Sequence, residues 1–130
     1  MGKNPTSQIT FLYFYDMPEA RQFFLKTLGL EQVFDLDWVA IFRVSGNAFL
    51  GTVDASRASI KVIHRGGMLI SLTVDDVDSW HKKIKKASLE HVTEVKSIEE
   101  IGLRSFFFKG PEGYDFEIQE FTNPALKKMF

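Results

Sequence analysis

The chain has no cysteine, which excludes disulfides, thiolate metal sites and a cysteine nucleophile together. It has no excess of charge of either sign. Sixteen basic residues against 17 acidic ones leave a formal charge of -1, and this gives no electrostatic footprint for nucleic acid or for an anionic membrane. It also has no long apolar run: nothing approaches the ~20 residues of a membrane span. The first residues, Met1 to Gln8, are polar rather than leader-like. A soluble, cytoplasmic protein is the expectation. Histidines number only three, His64, His81 and His91, and their positions in the chain favour exposed or hydrogen-bonded roles over metal ligation. What the chain does have is phenylalanine, 13 of 130 residues, within a 45% hydrophobic composition. That suffices for one domain with a proper core. A fraction of so many rings is available to line a pocket for a planar or apolar ligand.

Two stretches repeat each other. Asp16, Leu30-Glu31 and Val33 recur as Asp75, Leu89-Glu90 and Val92, 59 positions on. Each stretch reads as a strand, a capped helix and further strands, so the chain is an internal duplication of a β-α-β-β-β unit. In the first copy, Ile9 to Tyr15 is β-branched and aromatic, a strand expected to be buried on both faces. Asp16 caps a helix with Pro18 in its first turn and Glu19 three residues on. Ala20, Phe23, Phe24, Thr27 and Leu28 form its stripe, and Gly29 stops it. Strands follow at about 31–36, 38–44 and 47–53, the last hairpin closing at Ser45-Gly46-Asn47.

Residues 55–67 are a connector ending in Gly66-Gly67, a candidate hinge. In the second copy, Met68, Ile70, Leu72 and Val74 alternate with Leu69, Ser71 and Thr73. The first set is expected under the helix and the second on the opposite face. Asp75 or Asp76 caps a helix with Val77, Trp80, Ile84 and Ala87 on one side and Lys82, Lys83, Lys85 and Lys86 in solvent. Strands near 91–96 and 103–109 lead through Gly110-Pro111-Glu112-Gly113 to a last strand, Tyr114 to Phe121. The reading is one domain over 8–121, with module one at 8–54, the connector at 55–67, module two at 68–121 and a peripheral tail at 122–130.

This order of elements, with Asp16-x6-Phe23-Phe24-x3-Leu28-Gly29-Leu30 and the ending Pro111-Glu-Gly113-Tyr-Asp-Phe-Glu117-Ile, resembles the vicinal oxygen chelate superfamily. That group holds glyoxalase I enzymes, bleomycin resistance proteins and extradiol dioxygenases. The resemblance implies an α+β fold in which two β-α-β-β-β modules form a curved, cup-shaped mixed sheet with helices on the outer face. It also implies a homodimer, with modules paired within one chain or exchanged between two. In the superfamily's enzymes the cup holds a divalent metal with one ligand from each of four strands. Carried over, those positions fall on Ile9, on Leu50 or Gly51, on Leu69 or Met68, and on Glu117. One donor in four does not hold such an ion, so no cofactor is expected. A divalent metal on Glu117, serving a lyase or dioxygenase, is the alternative.

The expected function is metal-independent binding of an apolar or aromatic small molecule in the cup. Candidate ligand-binding residues are Phe11, Tyr13, Trp38, Phe42, Phe49, Leu69, Ser71 and Glu117, with Glu117 also the candidate catalytic group. A third reading makes the protein a dimeric interaction module in which Glu117 is a relic paired to Arg104 or another internal base. The charge of -1 disfavours capture of a strongly cationic drug.

Overall fold

The computed structural model describes residues 4–130. The chain divides into two compact units at the His64–Arg65 junction, each a four-stranded mixed sheet with a helix on one face.

In the first unit, β1 (Gln8–Phe14) runs parallel to β4 (Ala48–Asp54), and β3 (Val39–Ser45) lies antiparallel between β4 and β2 (Glu31–Leu36), in the order β1-β4-β3-β2. Helix α1 (Met17–Gln22) connects β1 to β2. Asp16 starts it as expected, its side chain accepting from the Glu19 backbone N–H at 3.0 Å. The helix then widens into a π turn over Phe23–Thr27, closed by the Leu28 N–H on the Phe23 carbonyl at 2.9 Å. This extra residue in the turn lets Phe23, Phe24 and Leu28 all face the sheet. Gly29, at φ 71, ends the helix in the left-handed conformation glycine tolerates. The core lies between this helix and Leu12, Phe14, Ala40, Phe42 and Leu50. Phe24 stacks on Phe42 with ring centroids 5.3 Å apart and meets Phe14 edge-on at 6.2 Å. The expectation that β1 is buried on both faces is corrected: Leu12 and Phe14 are buried, but Ile9 and Phe11 on the other face are exposed.

In the second unit the order is β5-β8-β7-β6, with β5 (Ile70–Thr73) parallel to β8 (Asp115–Phe121), and β7 (Leu103–Lys109) antiparallel to β8 and β6 (Lys96–Ile98). Ile70 and Leu72 are buried while Ser71 and Thr73 are exposed, the predicted alternation. Helix α2 (Val77–Lys86) begins at Asp76, which accepts from the Ser79 N–H and hydroxyl at 3.2 and 2.7 Å. Its buried residues are Val77 and Ile84; Ala87, expected on that side, ends the helix exposed. His81 lies between, 2.9 Å from the Thr93 carbonyl and edge-on to Phe106. The strand expected at 91–96 begins only at Lys96. The reason is local: the Thr93 hydroxyl accepts from the Phe107 N–H at 2.9 Å, a side chain taking a place in the ladder, and His91 turns at φ 54. Phe108 stacks on Phe116 at 5.4 Å in the core. Arg65 pairs with Glu112 at 3.0 Å and lies over Tyr114, tying the start of this unit to the β7–β8 turn. After β8, Asn123 caps α3 (Pro124–Met129), and Phe130 stacks on Phe121 at 5.2 Å.

The start of α2 carries an acid-sensitive pair. The hydrogen bond from Ser79 holds the Asp76 carboxyl below its ordinary 3.8, and that from Arg104 does the same for Asp78. Arg104 reaches Asp78 through two bonds of 2.8 and 3.0 Å. Carboxyls lowered on folding stabilise the protein above their unfolded pKa, and the contribution is lost as pH falls through the lower folded value. The D76N/D78N variant should therefore lose less stability than wild type between about pH 6 and about pH 2.5 in urea titrations. Equal losses in the two proteins would show that these carboxyls are not the groups being titrated.

Candidate functional site

Asp76 stands 60 positions after Asp16, not 59, so the two copies correspond at a shift of 60 across the first strand and cap. Buried Leu12 then matches buried Leu72. The one-residue difference matters because side chains alternate faces along a strand. Phe11 pairs in register with Gly51, and its counterpart Ser71 pairs with Glu117. Gly51, not Leu50, is therefore the first-unit counterpart of Glu117, and Leu69, not Met68, is the counterpart of Ile9. Leu50 lies on the other face, 4% exposed in the core.

On the second sheet's helix-free face, β8 presents Asp115, Glu117 and Gln119. Glu117 is 8% exposed and accepts from the Ser71 hydroxyl at 2.7 Å. Its antiparallel neighbour is Phe107, whose ring is 40% exposed. Flanking it, Lys109 pairs with Asp115 at 2.5 Å, and the Gln119 amide donates to Thr73 at 3.1 Å. Lys109, the basic residue of the adjoining strand on this face, is thus paired to Asp115, and Ser71 is the one hydrogen-bond partner of Glu117 among the described residues. Of the bases considered as partners for Glu117, Arg104 is ruled out: it lies on the helix side and binds Asp78.

On the first sheet's helix-free face lie Ile9, Phe11 and Tyr13 from β1, with Phe49 and Gly51 from β4. Phe11 is 39% exposed, and its ring covers Gly51: a Cβ at that position would stand 2.5 Å from the Phe11 Cδ1. Arg43 lies over the Phe49 ring at 4.9 Å. Two predicted wall residues are elsewhere. Phe42 is fully buried on the opposite face against Phe24. Trp38 is in the two-residue turn between β2 and β3 rather than in β3, with Arg57 over its ring at 5.4 Å. Leu69 and Ser71 are on the predicted face, and Leu69 is exposed.

The profile of the Glyoxalase/Bleomycin resistance protein/Dioxygenase superfamily matches residues 7–118, nearly the whole chain. The protein belongs to that superfamily. Among solved structures it is similar to a lactoylglutathione lyase from Agrobacterium tumefaciens, at 26% identity and a TM-score of 0.70, over 90% of this chain and 95% of that one. It is also similar in fold to the fosfomycin resistance protein FosX from Listeria monocytogenes, at 16% identity and a TM-score of 0.72, covering 89% and 93% of the two chains. A superfamily member from Sphaerobacter thermophilus DSM 20745 reaches a TM-score of 0.74 at 21% identity, covering 90% and 98%. No curated protein matches.

Of the four strand positions carried over from the resemblance, now placed at Ile9, Gly51, Leu69 and Glu117, only Glu117 has a side chain able to ligate a metal. At Gly51 the space a ligand's stem would need is taken by the Phe11 ring. No group of three or more histidine, aspartate or glutamate side chains able to hold an ion occurs among the described residues. Divalent ions of this kind need several such donors at short range.

Proposed function

We propose that the protein binds a small molecule without a metal, and that Glu117 is the group that anchors it. The observation carrying this reading is a carboxyl group 8% exposed with a single hydroxyl for partner, set beside the open ring of Phe107. An ionised carboxylate at such depth is costly unless it is paired, and a ligand that brings the missing donor removes that cost. The ligand class that suits it carries an amine or N–H donor on an aromatic or apolar body: the donor meets Glu117 while the body covers Phe107 and Leu69. Ser71 holds the carboxyl in place.

The test is thermal shift against a panel of aromatic amines and their neutral isosteres, with wild type and Glu117→Gln compared. The amide keeps the Ser71 bond, so the variant should fold with stability within about 1 kcal/mol of wild type. Amine binding should weaken by roughly tenfold or more, equivalent to about 1.4 kcal/mol. Equal stabilisation of both proteins by the amines would remove Glu117 from the site. Stoichiometric zinc, nickel or iron in the purified protein would overturn the metal-free reading.

A further inference from the structure

An open pocket of the first unit lies at the end of its β2–β3 hairpin. It has a volume of about 590 Å³ and is lined by Arg21, Asp35, Leu36, Asp37, Trp38 and Arg57. That volume is in the range of small-ligand sites, roughly 300–1,000 Å³. The fold builds one wall firmly. Arg21, on α1, donates to the Leu36 carbonyl and to the Asp37 carbonyl at 3.2 Å, and pairs with Asp35 at 3.1 Å. These bonds fix the β2–β3 turn to the helix, and they use up one charge of each sign. The Arg21 Nε remains buried with no partner.

Arg57 and Asp37 are the other two charged groups of the lining. Arg57 makes no close ion pair among the described residues; its charge helps hold the nearby Asp54 carboxyl low, after the bonds which that carboxyl accepts from the Ser56 hydroxyl and N–H at 2.7 and 2.9 Å. The Asp37 side chain makes no hydrogen bond or ion pair among the described residues either. The indole of Trp38, 38% exposed, has Arg57 over its ring at 5.4 Å, and Leu36 in the same lining is exposed. A purely anionic ligand would meet Asp37, and a purely cationic one would meet Arg57. A ligand with both charges, close together on an apolar body, satisfies each of them and covers the indole.

We infer that this pocket binds a small zwitterion with an aromatic or apolar side chain, the chemistry of a free amino acid. Its carboxylate goes to Arg57, its ammonium to Asp37 and its side chain to Trp38 and Leu36. The inference does not depend on the reading given for Glu117.

The chain has two tryptophans, Trp38 and Trp80, so the indole N–H signals in a nitrogen-proton NMR spectrum report the pocket and an internal reference. Titration with L-phenylalanine should move the Trp38 signal saturably and leave Trp80 in place. Phenethylamine, lacking the carboxylate, and 3-phenylpropionate, lacking the ammonium, should each bind about tenfold or more weakly. Arg57→Gln and Asp37→Asn should each weaken L-phenylalanine to a similar degree, with unchanged backbone amide signals from the first unit's strands showing that the variants are folded. No saturable movement of Trp38 overturns the inference. So does equal binding of either single-charge analogue, or full binding by both variants.

Discussion

Replacing Phe24 by alanine is expected to destabilise the first unit by about 3–5 kcal/mol, the range for deleting a fully buried aromatic ring. Phe24 is fully buried and touches three other rings: Phe14, Phe23 and Phe42. It joins α1 to both β1 and β3, so its loss leaves a void that no single neighbour fills. The surrounding side chains are themselves large rings with fixed edge and stacked geometries, which limits collapse into the space. Urea unfolding followed by the fluorescence of Trp38, in a background where Trp80 is phenylalanine, reads this unit. A loss under about 1 kcal/mol would mean that the ring cluster is not what joins helix to sheet.

The second large effect is expected at Gly102. It sits at φ 86, where a side chain is strained, and an added Cβ would stand 2.6 Å from the Asn123 Cβ and 3.2 Å from the Asn123 nitrogen. The Gly102 carbonyl also accepts from the N–H groups of Thr122 and Asn123, at 2.8 and 3.0 Å. Asn123 in turn caps α3. Gly102→Ala combines left-handed strain of about 1–2 kcal/mol with crowding of about 1–3 kcal/mol. The chain can relieve the crowding by releasing Asn123, which would undock α3 and break the Phe121–Phe130 stack. Trypsin cleavage at Lys127 and Lys128 should then accelerate along with the loss of stability. A variant within about 0.5 kcal/mol of wild type, cleaved at the wild-type rate, would show that the close approach is not maintained in solution.

The parts of this fold that were readable in the sequence are those where one residue type has one physical role. Asp16 before an apolar-periodic segment reads as a cap because its oxygen accepts an otherwise unpaired N–H, and it does. The alternation through Ile70, Ser71, Leu72 and Thr73 reads as one buried face and one open face, and it is. Glu117 stood out as the one donor at the four strand positions, and its burial beside Ser71 follows from the β5–β8 register.

β3 was not readable in the same way. Val39 and Ala40 are both buried, with Ile41 half-buried and Phe42 buried, so the strand is apolar on both faces and the period carries no sign. Shifts in register at Gln32/Phe34 and Arg43/Ser45 add further ambiguity. Phe42 was accordingly placed on the wrong face, and Trp38 in a strand instead of the turn. The gapless 59-residue repeat misled by one position because it aligned the caps through Asp75, whereas the side chain that reaches the Ser79 N–H belongs to Asp76. Nothing in the spacing marked the pocket of Arg21, Trp38 and Arg57, since its walls come from a helix, a turn and a segment after β4 that are distant in the chain.

The ring of Phe11 lying on Gly51 also constrains how this lineage can change. A side chain introduced at position 51 requires the Phe11 ring to move aside. A substitution at 51 alone is therefore penalised, while a smaller residue at 11 first opens the space in which a later change at 51 is tolerated. The two positions are therefore coupled through one ring.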